Sequence, residues 1–373
     1  GSFPDWIIGF ALPSDLWLTR AWIAPATALA GSLIFSPPAW QRLRFQPLDL
    51  VMALWCLWPL VQGLVIPGAT PGSWESSLFL IGVWGVPWLL GRVHYRDAAD
   101  IWHLLRILVG VTLPLIPFAL WEGIFGPGLY DLLIEPHPYI ADGAVRYVGW
   151  RPLLFFETGN QYGIWMCGAA LAGWGIVQTQ AGHPAGERWI IMAFGLTGLA
   201  LLGQSVGALI LLFVAMLLLF LPVLRRLAKR WSLPLIGGLA LVAGIYASGV
   251  VPVRSWVENS ALGRGALETV LATGRGSIAY RVSQDQKAVP LILKNPVMGA
   301  GHWDWWRAAD TRPWGLGMLI LGQFGLIGTI LAGVALCGPL ASAITRPARD
   351  RALRQARRLL ILLLAIAVID ALL

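Results

Sequence analysis

The sequence predicts an all-α integral membrane protein with about ten transmembrane helices and one large extracytoplasmic loop forming a lid. Three observations carry this expectation. Hydrophobic residues make up 57% of the chain and charged residues 12%, against roughly 25% charged in ordinary soluble domains. Apolar stretches recur at the length of about 20 residues that a helix needs to cross a bilayer core. The period-two alternation of a β-barrel is absent, so backbone polar groups in the bilayer must be satisfied inside helices.

Taken in order, the candidate spans lie at about 16–36, 48–66, 77–92, 101–122, 153–177, 188–204, 206–224, 232–251, 314–337 and 359–373. The connections between them alternate in charge. Arg42 and Arg44 follow the first span, Arg92 and Arg96 the third, and Arg188 the fifth. Arg225, Arg226, Lys229 and Arg230 follow the seventh, and Arg346, Arg349, Arg351, Arg354, Arg357 and Arg358 the ninth. These short loops hold fifteen of the 27 basic residues, which assigns them to the cytoplasm. The other set faces outward: the Pro67–Glu75 turn, the segment 123–152, the turn at Gly203-Gln204-Ser205, and the long loop 251–313. The chain thus divides into residues 1–250 with eight spans, the loop 251–313, and residues 314–373 with the last two spans.

The formal charge of +8 resides largely in those loops, so topology accounts for it without nucleic acid. Many of the 21 tryptophans fall near span ends, as interfacial anchoring requires. Cys56, Cys167 and Cys337 lie in apolar stretches and are expected to pack as small hydrophobes. The opening Phe3–Leu12 is too short to span, no cleavable signal sequence is legible, and residues upstream are compatible with both. No internal repeat and no inverted pair of broken helices is legible, which disfavours a secondary carrier.

The chemistry is narrowed by what is missing. The chain has no Walker A string, no GxSxG, no HExxH, no metal-spaced His or Cys pair and no Asp-x-Asp. An enzyme of this composition is expected to need no cofactor and no metal, and to act on a substrate already activated by a good leaving group. The outward loop 251–313 carries eight Lys/Arg against five acids, although basic residues are normally scarce outside the cytoplasm. That excess points to an anionic substrate; its alternative is a solvated surface that is translocated regardless of charge. Arg275 and Arg281, with Arg146 and Arg151 from the earlier outward segment, are candidates to grip a diphosphate, because guanidinium groups bond phosphate oxygens in pairs. Arg151 stands above Glu157, Asn160 and Gln161 at the head of the fifth span. That cluster either lines a substrate cavity or caps an interfacial helix end in which Arg151 pairs with Glu157. Lys294-Asn295-Pro296 followed by Gly299-Ala300-Gly301 reads as a turn into a close backbone approach. His302, Asp304 and Arg307 come next; His302, Asp304 and Glu157 are the candidate general bases, and Lys294 and Arg307 candidate substrate contacts.

In that order, these strings resemble the O-antigen ligase and polymerase superfamily. The resemblance covers roughly residues 140–337: Arg146-x-x-Gly149 with Asn160, then Ser205-x-Gly207-Ala208, then Arg281, Asn295-Pro296, Gly299-x-Gly301 and Gly325-Leu326-Ile327-Gly328. It implies a bacterial inner-membrane glycosyltransferase with its main loop in the periplasm. Its donor would be an undecaprenyl-pyrophosphate-linked oligosaccharide and its acceptor a glycan, with membrane lipids and a chain-length regulator protein as further partners. Val206 stands where ligases carry Arg, and Trp314-Gly315 where they carry His-Asn. These departures favour the polymerase type over the ligase. A non-enzymatic lipid-glycan transporter or scaffold is the rival of another class.

Overall fold

The computed structural model describes residues 20–66, 70–133, 145–156, 158–180, 186–228, 230–231, 234, 238, 246, 259–272, 276–313, 315–345 and 350–372. These residues are overwhelmingly helical, and their only sheet is one two-residue hairpin. The principal helices are α1 (Arg20–Phe35), α2 (Pro47–Val65), α3 (Thr70–Leu80), α4 (Val86–His94), α5 (Ala98–Thr112), α6 (Ile116–Phe125), α7 (Gly159–Thr179), α8 (Gly186–Leu202) and α9 (Val206–Phe220). A short helix α10 (Pro222–Ala228) follows, then α11 (Ala261–Ala272), α12 (Gly276–Ile292), α13 (Leu316–Thr345) and α14 (Arg351–Leu372).

Among the described residues, four helices are long and apolar enough to cross a membrane: Pro47–Val65, Gly72–His94, Ala98–Phe125 and Leu316–Ala343. Counting α9 with α10 as one bent span makes five. The chain is therefore an all-α protein with the helices of a multi-pass membrane protein. The predicted span 232–251 and the start of the first lie largely outside the described residues.

The chain forms two compact units. The first holds Leu90–Lys229 and Ser342–Asp370. Its centre is α7, which packs on α5, α8 and α9. Small residues make that possible: a Cβ on Gly163 would come within 2.5 Å of Ser205, and one on Gly175 within 2.2 Å of Leu359. Without a hydrophobic drive between helices in lipid, such close approach is a main source of association. Cys167 is buried in this core, as expected of a packing thiol.

The second unit holds Ala21–Leu89 and Arg230–Ala341. Here α2 packs on α3, which runs through a π-turn at Ile81–Gly85 into α4. The long helix α13 is broken at Gly325, which takes φ 67° and ψ −171°. The break accepts the loop 295–301. Ala300 and Gly301 N–H donate to the carbonyls of Gly322 and Gln323 (2.8 and 3.0 Å), and Leu326 and Ile327 N–H donate to those of Pro296 and Val297 (2.9 and 3.3 Å). Gln62 of α2, 1% exposed, donates from its amide to Met298 O and to Gln323 O (2.9 Å for the latter). Trp58 Nε1 holds Phe324 O at 2.8 Å. Irregular backbone at membrane depth survives only when such partners replace water. The close backbone approach expected of Gly299-Ala300-Gly301 is thus present, laid on a helix break that no local pattern announced.

Candidate functional site

In the first unit, the site begins with a carboxylate. Glu122, in the last turn of α6, has 0% exposure, and its two oxygens accept four backbone N–H groups. Oε1 takes Gly128 and Leu129 (3.2 and 3.0 Å), and Oε2 takes Leu153 and Leu154 (both 2.8 Å). It ties the turn after α6 to the irregular segment 151–154, where Leu154 is held at φ 51°. Glu122→Leu leaves four buried donors without acceptors, at about 1 kcal/mol or more each. Thermal unfolding should show a loss of several kcal/mol, and Glu122→Gln, with one acceptor oxygen, a smaller one.

That segment begins with Arg151. Its side chain is 5% exposed and lies across the first turn of α7, where a Cβ on Gly159 would fall 2.0 Å from Nε. Nε donates to Gly203 O at 2.8 Å and Nη2 to Asn160 Oδ1 at 3.2 Å. Ser205 Oγ donates to the same Oδ1 at 3.2 Å. Because that hydroxyl is turned to Asn160, no side chain caps the N-terminus of α9, and open space adjoins Gly207 there. Among the described residues, no carboxylate lies within 4 Å of the Arg151 guanidinium. Burial first, and then the charge of Arg146, push Arg151 down to about 10, so it remains a cation at neutral pH. Arg146 is exposed on β1 (Val145–Arg146), which pairs with β2 (Gly149–Trp150). Gln204, itself at φ 48°, receives Val148 N–H at 3.0 Å and thereby pins that hairpin over the α8–α9 turn.

Compared with protein-family models, curated proteins and solved structures, the chain matches none. Three of the sequence strings, around Arg146, Asn160 and Ser205, meet in this one cluster. Gln161 is exposed on the first turn of α7. Glu157 and Arg275 lie outside the described residues. Glu122 and Gln204 were missed by sequence reasoning; an acid closing the apolar run 101–122 was the one available signal.

In the second unit, His302, Asp304 and Arg307 come together. His302 Nδ1 lies 3.1 Å from Asp304 Oδ1, Arg307 Nε 3.8 Å from Asp304 Oδ2, and the Arg307 guanidinium 5.2 Å above the Trp303 ring. The His302 side chain is 56% exposed, so Asp304 orients the ring while Nε2 stays reachable. Arg281 is half-buried on α12, and Lys294 is exposed just past its end. Among the described residues, no three His, Cys, Asp or Glu side chains gather as a metal site requires.

Proposed function

We propose that the chain is a bacterial inner-membrane glycosyltransferase of the polymerase type, with about ten spans and the loop 251–313 as a periplasmic lid. It would move an oligosaccharide from an undecaprenyl-pyrophosphate carrier to a glycan acceptor. One observation carries the reading: a buried guanidinium at the heads of two helices that, among the described residues, has no carboxylate within 4 Å. Burying an isolated cation costs several kcal/mol, and the positive ends of α7 and α9 add to that cost. A diphosphate reverses the sign of each contribution. It would take bidentate bonds from Arg151 and the uncapped amides of α9, with Arg146 at the rim.

In such a transfer, the acceptor hydroxyl attacks the anomeric carbon. The bond to the diphosphate oxygen breaks, its electron pair leaves with the carrier, and the configuration inverts. Positive charge arranged beforehand around the departing diphosphate lowers the barrier. The proton of the attacking hydroxyl goes to a general base.

The reaction class is tested by incubating purified protein with a lipid-linked repeat unit. Polymerase chemistry yields a ladder of longer lipid-linked glycans. Transfer only onto a lipid A core would make the protein a ligase, and no turnover with either acceptor would leave the transporter or scaffold.

A further inference from the structure

The end of α9, with the short helix α10 that follows it, and the start of α14 carry a second group of basic residues. At Leu221 the chain turns by 108°, so that α10 lies across the end of α9. Val223 and Leu227, four residues apart and therefore on one helix face, are 69% and 53% exposed. Arg225 and Arg226 occupy the rest of this short helix. Exposed apolar residues on one side and arginines on the other are the signature of a helix lying in the membrane interface.

The cluster is completed from α14. Leu359 of α14 packs against Gly175 of α7, and Gln178, one turn further along α7, donates from its amide to Leu219 O of α9 at 3.1 Å, so both helix ends lie at the last turns of α7. Arg358, half-buried, there feels the charges of both Arg225 and Arg354. The one acid at the head of α14, Asp350, accepts Leu353 N–H at 2.7 Å and so caps the helix. Among the described residues, no carboxylate lies within 4 Å of Arg225 or Arg358. Topology explains why such arginines are on this side of the membrane. It does not explain why two of them, on separate helices that meet at the end of α7, are half-buried with, among the described residues, no carboxylate within 4 Å.

We propose that this basic elbow is a binding site for the phosphodiester head group of an anionic phospholipid. The two guanidinium groups offer paired donors to the phosphate oxygens, and the apolar face of α10 lies beside the acyl chains. Pockets of this kind between membrane helices recognise anionic head groups, each basic residue contributing about fivefold in affinity. The site is independent of whatever the chain transfers.

The test uses the full chain, purified in a neutral detergent. Unfolding temperature is measured with added phosphatidylglycerol, phosphatidylcholine or inorganic phosphate, and lipid retained on the wild-type protein is counted by native mass spectrometry. The expected result is a rise of several degrees with phosphatidylglycerol alone, together with its preferential retention. Arg225→Gln and Arg358→Gln should each weaken the response about fivefold, whereas Arg226→Gln on the same helix leaves it intact. Equal effects of the two lipids, no preferential retention, or a full response in the double variant would overturn the site. A response reproduced in full by inorganic phosphate would overturn its lipid character. Should the double variant fail to fold, the wild-type retention measurement decides by itself.

Discussion

Arg151→Met is expected to lower glycan transfer by about a hundredfold or more while leaving the unfolding temperature unchanged or raised. The two halves of this expectation have one cause. Arg151 is buried beside the heads of α7 and α9 with two neutral acceptors and, among the described residues, no carboxylate. Removing it deprives Gly203 O of its donor, at about 1–3 kcal/mol, and leaves Asn160 Oδ1 with Ser205. It also removes a desolvated charge whose burial costs several kcal/mol. The losses offset, so stability holds. Activity does not, because a preorganised donor to a leaving anion is typically worth a hundredfold or more in rate. A purely structural arginine behaves oppositely, with stability and activity falling together. Arg151→Lys keeps the charge but not the paired donors, and should recover only part of the rate.

Gly325→Ala or Gly299→Ala should prevent the second unit from folding. Both glycines have positive φ, where an L side chain costs about 1–2 kcal/mol. Space is the larger penalty. A Cβ on Gly325 would stand 2.3 Å from Val297 O, and one on Gly299 2.4 Å from Gly325 N. The obstacles are backbone atoms that cannot rotate away, so either substitution expels the loop from the helix break and frees buried N–H and C=O groups. The protein should vanish from the membrane fraction or unfold many degrees lower. Gly333→Ala, on the same helix with nothing within 4 Å, is the control and should be neutral or slightly stabilising.

How much of this was legible follows from the range of each interaction. Helical class and membrane character are compositional and survive any error in boundaries. The turn at Asn295-Pro296 and the glycines after it were visible because their conformational demands are local. That they dock on a break in α13 was not, since the partner carbonyls of Gly322 and Gln323 lie over twenty residues away and the run around Gly325 looks like continuous apolar helix. Gln62 and Glu122 were overlooked for the same reason: each satisfies backbone groups from distant segments, and nothing beside them in the chain signals it. Arg151 was placed at the correct helix head, but its burial depends on Gly159 and Gly203, which only the fold brings to it.

The central claim is that the Arg151 recess grips a diphosphate. Equilibrium binding of undecaprenyl pyrophosphate to the purified full chain, wild type against Arg151→Met, tests it most directly. Saturable binding that weakens by about tenfold or more in the variant, with the fold intact, is the predicted result. Equal affinity in the two proteins would contradict it.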